Sequence, residues 1–418
     1  MPSPRPGSGP WPWLTRQVLA LGLVSLLTDM GTEMGMPLLP ALITGLGGGA
    51  VALGLIDGLA DAVAALLQVF AGRRTDRTGK RRPWVLFGYG FSGLIRPLFG
   101  LAAAPWQVVA VRSADRVGKG LRKPSRDSLL EAAAGPETRG RVFGFHDAMD
   151  NAGQMLGPLL ALALLAFFAG DLRKMLLCAI VPVDPALVAV MRTVLLCAIV
   201  PGALALLVVL AWVREEGPRA QPKALVMTWA PPKEILPVLI PIALFTLGNA
   251  SDLFLLLKVQ GVGASILGLV LLWSAFAAVK VLGALLGGPL ADRLGARAAI
   301  SLGWAWYGIV YLAFAHAGSL KAMVFIFLAY GLFHGFSEGP QKALVGSLAP
   351  KKLKATCFGW LGLTTGLLAL PAGLLFGGLW QWKGPALAFS VGAALALGGL
   401  ALLWLAPSVE PAGARARR

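Results

Sequence analysis

The sequence is built from long, continuous apolar runs, each about as long as a lipid bilayer is thick. A membrane-spanning helix needs about 20 mostly apolar residues. The apolar residues run on without alternating, which argues against a β-barrel. We therefore predict an all-α membrane protein with twelve transmembrane helices, at 14–42, 51–71, 83–104, 106–126, 141–168, 193–213, 235–258, 265–287, 298–316, 319–345, 356–379 and 386–406.

The composition supports this class and excludes others. Of the 418 residues, 57% are hydrophobic and 14% are charged, whereas about 25% are charged in soluble proteins. A soluble enzyme or a nucleic-acid-binding protein is therefore excluded. The net charge of +17 comes from Lys and Arg in alternate loops, which predicts that both termini are cytoplasmic and that the protein is a multi-pass protein of the cell (plasma or inner) membrane.

The chain repeats one plan twice. Residues 72–81 and 288–297 both read G-x-x-x-D-R-x-G-x-R, 216 positions apart, and Phe143-Gly144 matches Phe358-Gly359 at an offset of 215. We predict two six-helix halves at 14–213 and 235–406, a tail at 1–13, a cytoplasmic linker at 214–234 and a basic tail at 407–418. The heptapeptide LLCAIVP occurs at 176–182 and 195–201, so 173–192 is predicted to be a duplicated insertion at the external face.

The repeated motif resembles the signature loop of the major facilitator superfamily, which joins helices 2 and 3 on the cytoplasmic side. The resemblance implies that the protein has the fold of that superfamily, works by alternating access between two halves, and is a monomer.

Two further stretches resemble motifs of the same superfamily. The R-x-x-x-x-x-G-x-G stretch that begins at Arg112 resembles a motif tied to proton coupling, and Gly153, Gly157 and Pro158 partly match an antiporter motif. The 115–127 stretch, D-R-x-G-K-G-x-R-x-P-x-R-D, resembles a bacterial subgroup. The predicted conformational gate comprises Gly72, Asp76, Arg77, Gly79, Gly288, Asp292, Arg293, Arg116, Arg126 and Asp127.

Ionisable residues within the predicted helices are the candidates for function, because burying a charge in the bilayer is costly. Carboxylates one helical turn apart repel each other when both are ionised. A carboxylate that holds a proton beside an arginine is a plausible coupling device, and Arg96 and Arg112 are the expected partners of the acids. The alternative is a permanent ion-pair network that fixes helix packing. The predicted proton-coupling and cavity residues are Asp29, Glu33, Asp61, Arg96, Arg112, Asp115, Asp150, Asn249 and Asp252, the last two on one helix face.

These features predict proton-coupled export of a small molecule by a secondary transporter, and the acidic N-terminal half favours cationic or amphipathic cargo. The alternatives are a symporter or uniporter that takes up a metabolite or metal chelate and, less favoured, a non-transporting membrane sensor. No phosphate-binding loop of the G-x-x-x-x-G-K-[ST] type occurs, and no catalytic motif indicates an enzyme. The three cysteines and three histidines lack metal-ligand spacing, so neither a metal nor another cofactor is expected.

Overall fold

The computed structural model describes residues 11–36, 39, 42, 46, 50–169, 185–215, 230–249, 251–264 and 266–406, and within them every regular element is helical. The first half contains α1 (Arg16–Gly35), α2 (Ala50–Thr78), α3 (Arg82–Ile95), α4 (Pro105–Ala133), α5 (Arg139–Ala169), α6 (Pro185–Cys197) and α7 (Ile199–Trp212). The second half contains α8 (Leu236–Gly248), α9 (Leu253–Gly261), α10 (Ile266–Leu294), α11 (Ala296–His316), α12 (Leu320–Leu348), α13 (Lys354–Lys383) and α14 (Pro385–Leu405).

These helices form twelve rods, because α6 and α7 together make one rod, and α8 and α9, with a break between them, make another. Within the described residues, ten rods are long and apolar enough to cross a membrane. The other two, α2 and α4, are each 29 residues long. The charged residues of α4 are mostly buried against other helices. The predicted all-α membrane fold with twelve helices is confirmed.

Two local details differ from the sequence prediction. The sixth rod begins at Pro185, not at 193, so the end of the predicted insertion is helical, while 173–184 lies outside the described residues. The seventh rod is interrupted, since α8 ends at Gly248 and α9 begins at Leu253. Asn249 and Asp252 therefore flank a break in the helix, and the prediction that they share one helix face is wrong.

The two halves meet through two helix pairs that the sequence repeat makes equivalent. Helix α2 packs against α13, and α10 packs against α5. Both crossings depend on the first glycine of the repeated motif. A Cβ added to Gly72 would lie 2.3 Å from the carbonyl oxygen of Ala355, and one added to Gly288 would lie 2.5 Å from that of Gly140. Only glycine permits backbones to approach this closely.

The second pair of motif glycines sets the turn that follows each helix. Gly79 has a φ of +67° and its repeat equivalent Gly295 has a φ of +88°. Both values lie in the left-handed region that residues with a Cβ rarely adopt. The repeat thus specifies the same helix ending after α2 and after α10.

Candidate functional site

A cavity of about 360 Å³ lies between the two halves, within the size range of small-molecule sites. Its walls come from equivalent helices, namely α1, α4 and α5 of the first half and α8, α12 and α13 of the second. The lining residues are Ser25, Asp29, Lys119, Arg122, Lys123, Arg126, Asp127, Asp150, Gln154, Phe245, Thr246, Asn249, Phe333, Ser337, Glu338, Gln341, Lys342, Phe358, Leu361, Gly362, Thr365 and Ala369.

One end of the bundle, here called the motif end, is held shut by two matched contacts between the halves. Asp76 accepts hydrogen bonds from the backbone N–H groups of Ala355 (3.1 Å) and Thr356 (2.6 Å), at the start of α13. Its repeat equivalent, Asp292, accepts from the N–H groups of Gly140 (2.6 Å) and Arg141 (3.0 Å), at the start of α5. Each carboxylate thus meets the positive end of a helix in the other half, where negative charge is stabilised.

Ion pairs extend this closure toward the cavity. Lys354 Nζ lies 2.7 Å from Glu131 Oε1, and Lys342 Nζ bonds to Asp147 Oδ1 in a buried pair. Each of these contacts joins a residue of the first half to a residue of the second. In this conformation the halves are therefore linked by charge as well as by packing on the motif side of the cavity.

An acidic cluster faces the cavity from α1 and α5. The Ser25 hydroxyl donates to Asp150, and Arg126 lies 4.0 Å from Asp150 and 2.9 Å from Asp127. Asp29 also lines the cavity, close enough to Asp150 for the two to repel when both are ionised. The sequence prediction of Arg96 or Arg112 as the partner of Asp150 is wrong, because Arg126 takes that place.

A histidine that the sequence analysis passed over lies behind this cluster. His146 is fully buried, with Nδ1 at 3.7 Å from Asp147 Oδ1 and 3.8 Å from Asp150 Oδ2. Neither ring nitrogen has a hydrogen-bond partner among the described residues. His146, Asp147 and Asp150 together have the spacing of a cation site. However, Lys342 is paired with Asp147 and already supplies a positive charge there. No sequence signal marked His146, since a single histidine has no recognisable pattern.

A second charged pair is buried inside the first half, away from the cavity. Arg96 Nε lies 2.9 Å from Asp115 Oδ1, which confirms that predicted pairing, and Arg96 also donates to the Thr28 carbonyl at 2.7 Å. Arg112 lies in the same region, where these residues surround a much smaller pocket. These contacts connect α1 and α4 to the 3-10 helix Arg96–Leu101 that follows α3, as the packing alternative anticipates.

The remaining acidic and glycine candidates of the first half lie on α1, α2 and α5. Asp29 and Glu33 face the α5 glycines, because a Cβ added to Gly153 would lie 3.0 Å from Asp29 Cβ, and one added to Gly157 would lie 2.7 Å from Glu33 Cβ. These two glycines allow α5 to cross α1 closely, and Pro158 directly follows the second of them. Asp61 lies within α2, but its side chain is outside the described residues.

The predicted gate residues divide into two groups. Gly72, Asp76, Gly288 and Asp292 lie at the motif-end contacts, whereas the side chains of Arg77 and Arg293 are exposed. Arg116 is buried, and Arg126 and Asp127 line the central cavity.

The second half contributes a smaller polar group at the break in its first rod. Asn249 lines the cavity, and Asp252 accepts a hydrogen bond from the Tyr330 hydroxyl at 2.8 Å. His334 Nδ1 lies 2.7 Å from Glu338 Oε1, and its Nε2 lies 3.9 Å from Asp252. The break in the helix thus places Asp252 beside Tyr330 and His334 of α12.

Two six-helix halves around a polar central cavity, closed at one end by matched contacts, are the architecture of membrane transporters built from paired repeats. The sequence profile of the Major Facilitator Superfamily matches residues 21–269. An uncharacterized MFS-type transporter, MJ1317 of Methanocaldococcus jannaschii, is 32% identical over 404 residues, covering 94% of this chain and 95% of the relative. The chain belongs to the Major Facilitator Superfamily and is a multi-pass transporter, not an enzyme.

More distant likenesses come from a multidrug-resistance protein and a sugar transporter. Multidrug resistance protein MdtH of Yersinia enterocolitica is 29% identical over 160 residues, which is 37% of this chain and 40% of that protein. The fucose:proton symporter FucP of Escherichia coli has the same fold, with a TM-score of 0.74 at 10% identity, over 94% of this chain and 98% of that one. The second likeness concerns the fold alone.

Proposed function

We propose that this protein exports a small molecule in exchange for protons, with Asp150 as the proton-carrying group. The observation that carries the proposal is the position of Arg126 between two carboxylates, 2.9 Å from Asp127 and 4.0 Å from Asp150, on the wall of the central cavity. A proton on Asp150 removes one of the two negative charges that hold Arg126. The charge presented to the cavity then depends on whether a proton is bound, which is the requirement for coupling.

The neighbours of Asp150 support this assignment. Asp29 repels it when both are ionised, so one proton on the pair relieves the repulsion. The Ser25 hydroxyl donates a hydrogen bond to Asp150, and the buried His146 imidazole lies 3.8 Å from it. Arg112 lies outside this cluster, in the smaller pocket with Asp115. We therefore assign it to the packing of the first half and not to proton transfer.

Export, rather than uptake, is supported by sequence likeness. The partial match to MdtH and the helix-5 glycines Gly153 and Gly157 both favour an antiporter. Uptake by symport or uniport is the second candidate, because FucP, a proton symporter, has the same fold. The sign of proton movement on addition of cargo separates the two.

The test uses everted membrane vesicles with an acid interior and a pH-sensitive dye. Addition of an exported cargo is expected to release protons from the vesicles and restore dye fluorescence. Asp150→Asn is expected to abolish the response, while Glu137→Gln, which removes an exposed carboxylate, leaves it intact. Surface expression and thermal stability of each variant show whether it is folded.

Two results would contradict the proposal. Proton movement in the opposite sense, with Asp150→Asn inactive, would indicate symport. A full response in Asp150→Asn would remove Asp150 from the coupling pathway.

We further propose that the motif end and both termini face the cytoplasm, as the basic loops predict, and that the protein resides in the cell membrane as a monomer. In a background without Cys178, Cys197 and Cys357, a cysteine at position 80 is then labelled only from the cytoplasm. A cysteine at position 318, in the exposed turn before α12, is labelled only from outside. The reverse labelling pattern would show that the protein has the opposite orientation in the membrane.

A further inference from the structure

We propose that the cargo carries a negative charge and that Lys123 binds its acidic group. This inference rests on the proposed function, because it takes the central cavity as the transport site. It concerns the chemical class of the cargo, which neither the fold nor the coupling mechanism specifies.

The cavity wall carries more positive than negative side chains. Among the described lining residues there are five cationic groups and four carboxylates. This balance differs from the acidic cavity expected from the sequence, because α4 brings a row of basic residues to the same wall and α12 adds another. The cationic groups are Lys119, Arg122, Lys123, Arg126 and Lys342, and the carboxylates are Asp29, Asp127, Asp150 and Glu338.

Most of these carboxylates already have partners in the protein. Asp127 is paired with Arg126 at 2.9 Å, Asp150 accepts from Ser25 and is approached by the same arginine, and Glu338 lies 2.7 Å from His334 Nδ1. A cationic cargo would have to displace these contacts. The acidic groups that suggested cationic cargo are therefore largely engaged.

Lys123, unlike these carboxylates, has no paired group among the described residues. Within the described residues, its ammonium group makes no hydrogen bond or ion pair, although it is partly buried and lines the cavity. Its charged neighbours are two cations, Lys342 and Arg126, and two acids, Asp127 and Glu338, whose own pairs are described above. A partly buried ammonium group without a close counter-charge is less stable than a paired one. An anion in the cavity would supply that counter-charge.

The rest of the cavity indicates that the anion is organic. Phe245, Phe333 and Phe358 form an apolar part of the wall, and Phe245 and Phe333 pack together with ring centroids 5.5 Å apart. Neutral amides of Gln154, Asn249 and Gln341 line other parts. A small carboxylate or phosphate ester with an apolar body would place its charge at Lys123 and its body against the phenylalanines.

The test is equilibrium binding to the purified full-length protein in lipid nanodiscs, measured by calorimetry. Four probes share one naphthyl body and differ in head group: 2-naphthylacetate, 2-naphthylmethylphosphonate, 2-naphthylacetamide and 2-(2-naphthyl)ethylammonium. We expect at least one anionic probe to bind about tenfold tighter than the amide and the ammonium probes. The carboxylate and phosphonate arms distinguish the two kinds of acidic head group.

Variants connect the preference to one side chain. Lys123→Gln is expected to reduce anion binding to the level of the amide without weakening the amide itself, while Lys123→Arg retains the preference. Lys321→Gln, which removes an exposed lysine at the start of α12, is the matched control and is expected to bind like the wild type. Retained amide binding shows that the cavity of Lys123→Gln is intact.

Three results would overturn the inference: equal or tighter binding of the ammonium probe, failure of both anionic probes to bind, or an unchanged anion preference in Lys123→Gln. The proposed function can fail separately. Anion-selective binding without cargo-driven proton movement would reject proton-coupled export and keep the inference. Proton-coupled export of a cationic or neutral cargo would reject the inference about an anionic cargo and keep the proposed function.

Discussion

Phe143 and Phe358, equivalent residues of the two halves, pack against each other with ring centroids 5.7 Å apart. The glycine that follows each of them faces the opposite half. A Cβ added to Gly144 would lie 2.6 Å from Ala284 O, and one added to Gly359 would lie 2.5 Å from Gln68 O. The axis that relates the halves therefore passes close to these rings. The Phe-Gly repeat in the sequence therefore marks the contact between the two halves that lies nearest this axis.

The matched aspartate contacts should control how easily the motif end opens. Asp76→Asn is expected to shift the equilibrium toward the open state, because it removes a negative charge from the start of α13, worth about 1 kcal/mol at a helix terminus. Asp292→Asn should act in the same way on α5. Spin-label distances across the motif end measure the populations, and Glu137→Gln serves as the control. Unchanged distance distributions in both variants would show that the carboxylates do not hold this end shut.

The glycines at the two helix crossings should be required for closure. Gly72→Val places a side chain against the backbone of Ala355, and Gly288→Val places one against that of Gly140. Because backbone atoms cannot yield at such distances, we expect transport to fall below about a tenth of the wild-type rate in each variant while the protein remains in the membrane.

The control for this prediction is Gly318→Val, where a Cβ meets no atom within 4 Å. Transport is measured with the vesicle assay described above. Wild-type transport by Gly72→Val would mean that α2 and α13 separate enough in every working conformation to accept a side chain.

The buried pair between Lys342 and Asp147 should stabilise this conformation only as a pair. Lys342→Met or Asp147→Asn alone leaves one buried charge without its partner, which typically costs about 3–5 kcal/mol. The double variant leaves neither charge and should recover most of the lost thermal stability. Thermal unfolding in detergent measures all three proteins. Additive losses in the double variant would show that the two residues do not interact in solution.

The sequence alone was enough for the architecture, because the signals for it are local. The lengths of the apolar runs define the rods, and the offset between Gly72 and Gly288 defines two equivalent halves. The charged residues within an apolar run can also be read from the sequence, so the partly buried acids Asp29 and Asp150 could be identified before any contact was known. The pairing of Arg96 with Asp115 was within reach for the same reason, since both belong to neighbouring helices of one half.

The tertiary structure decided which of these groups face one another. Arg126 lies beside Asp150, Lys342 reaches Asp147 across the interface, and Lys123 lines the cavity without an ion pair among the described residues. No local pattern encodes such contacts, because they depend on how separate helices are packed, and Lys342 and Asp147 are 195 residues apart in the chain. The break between α8 and α9 was also missed, since Asn249 and Asp252 lie in a hydrophobic stretch that continues on both sides. Hydropathy therefore determines that a segment is buried in the bilayer, but only packing determines what each buried charge meets.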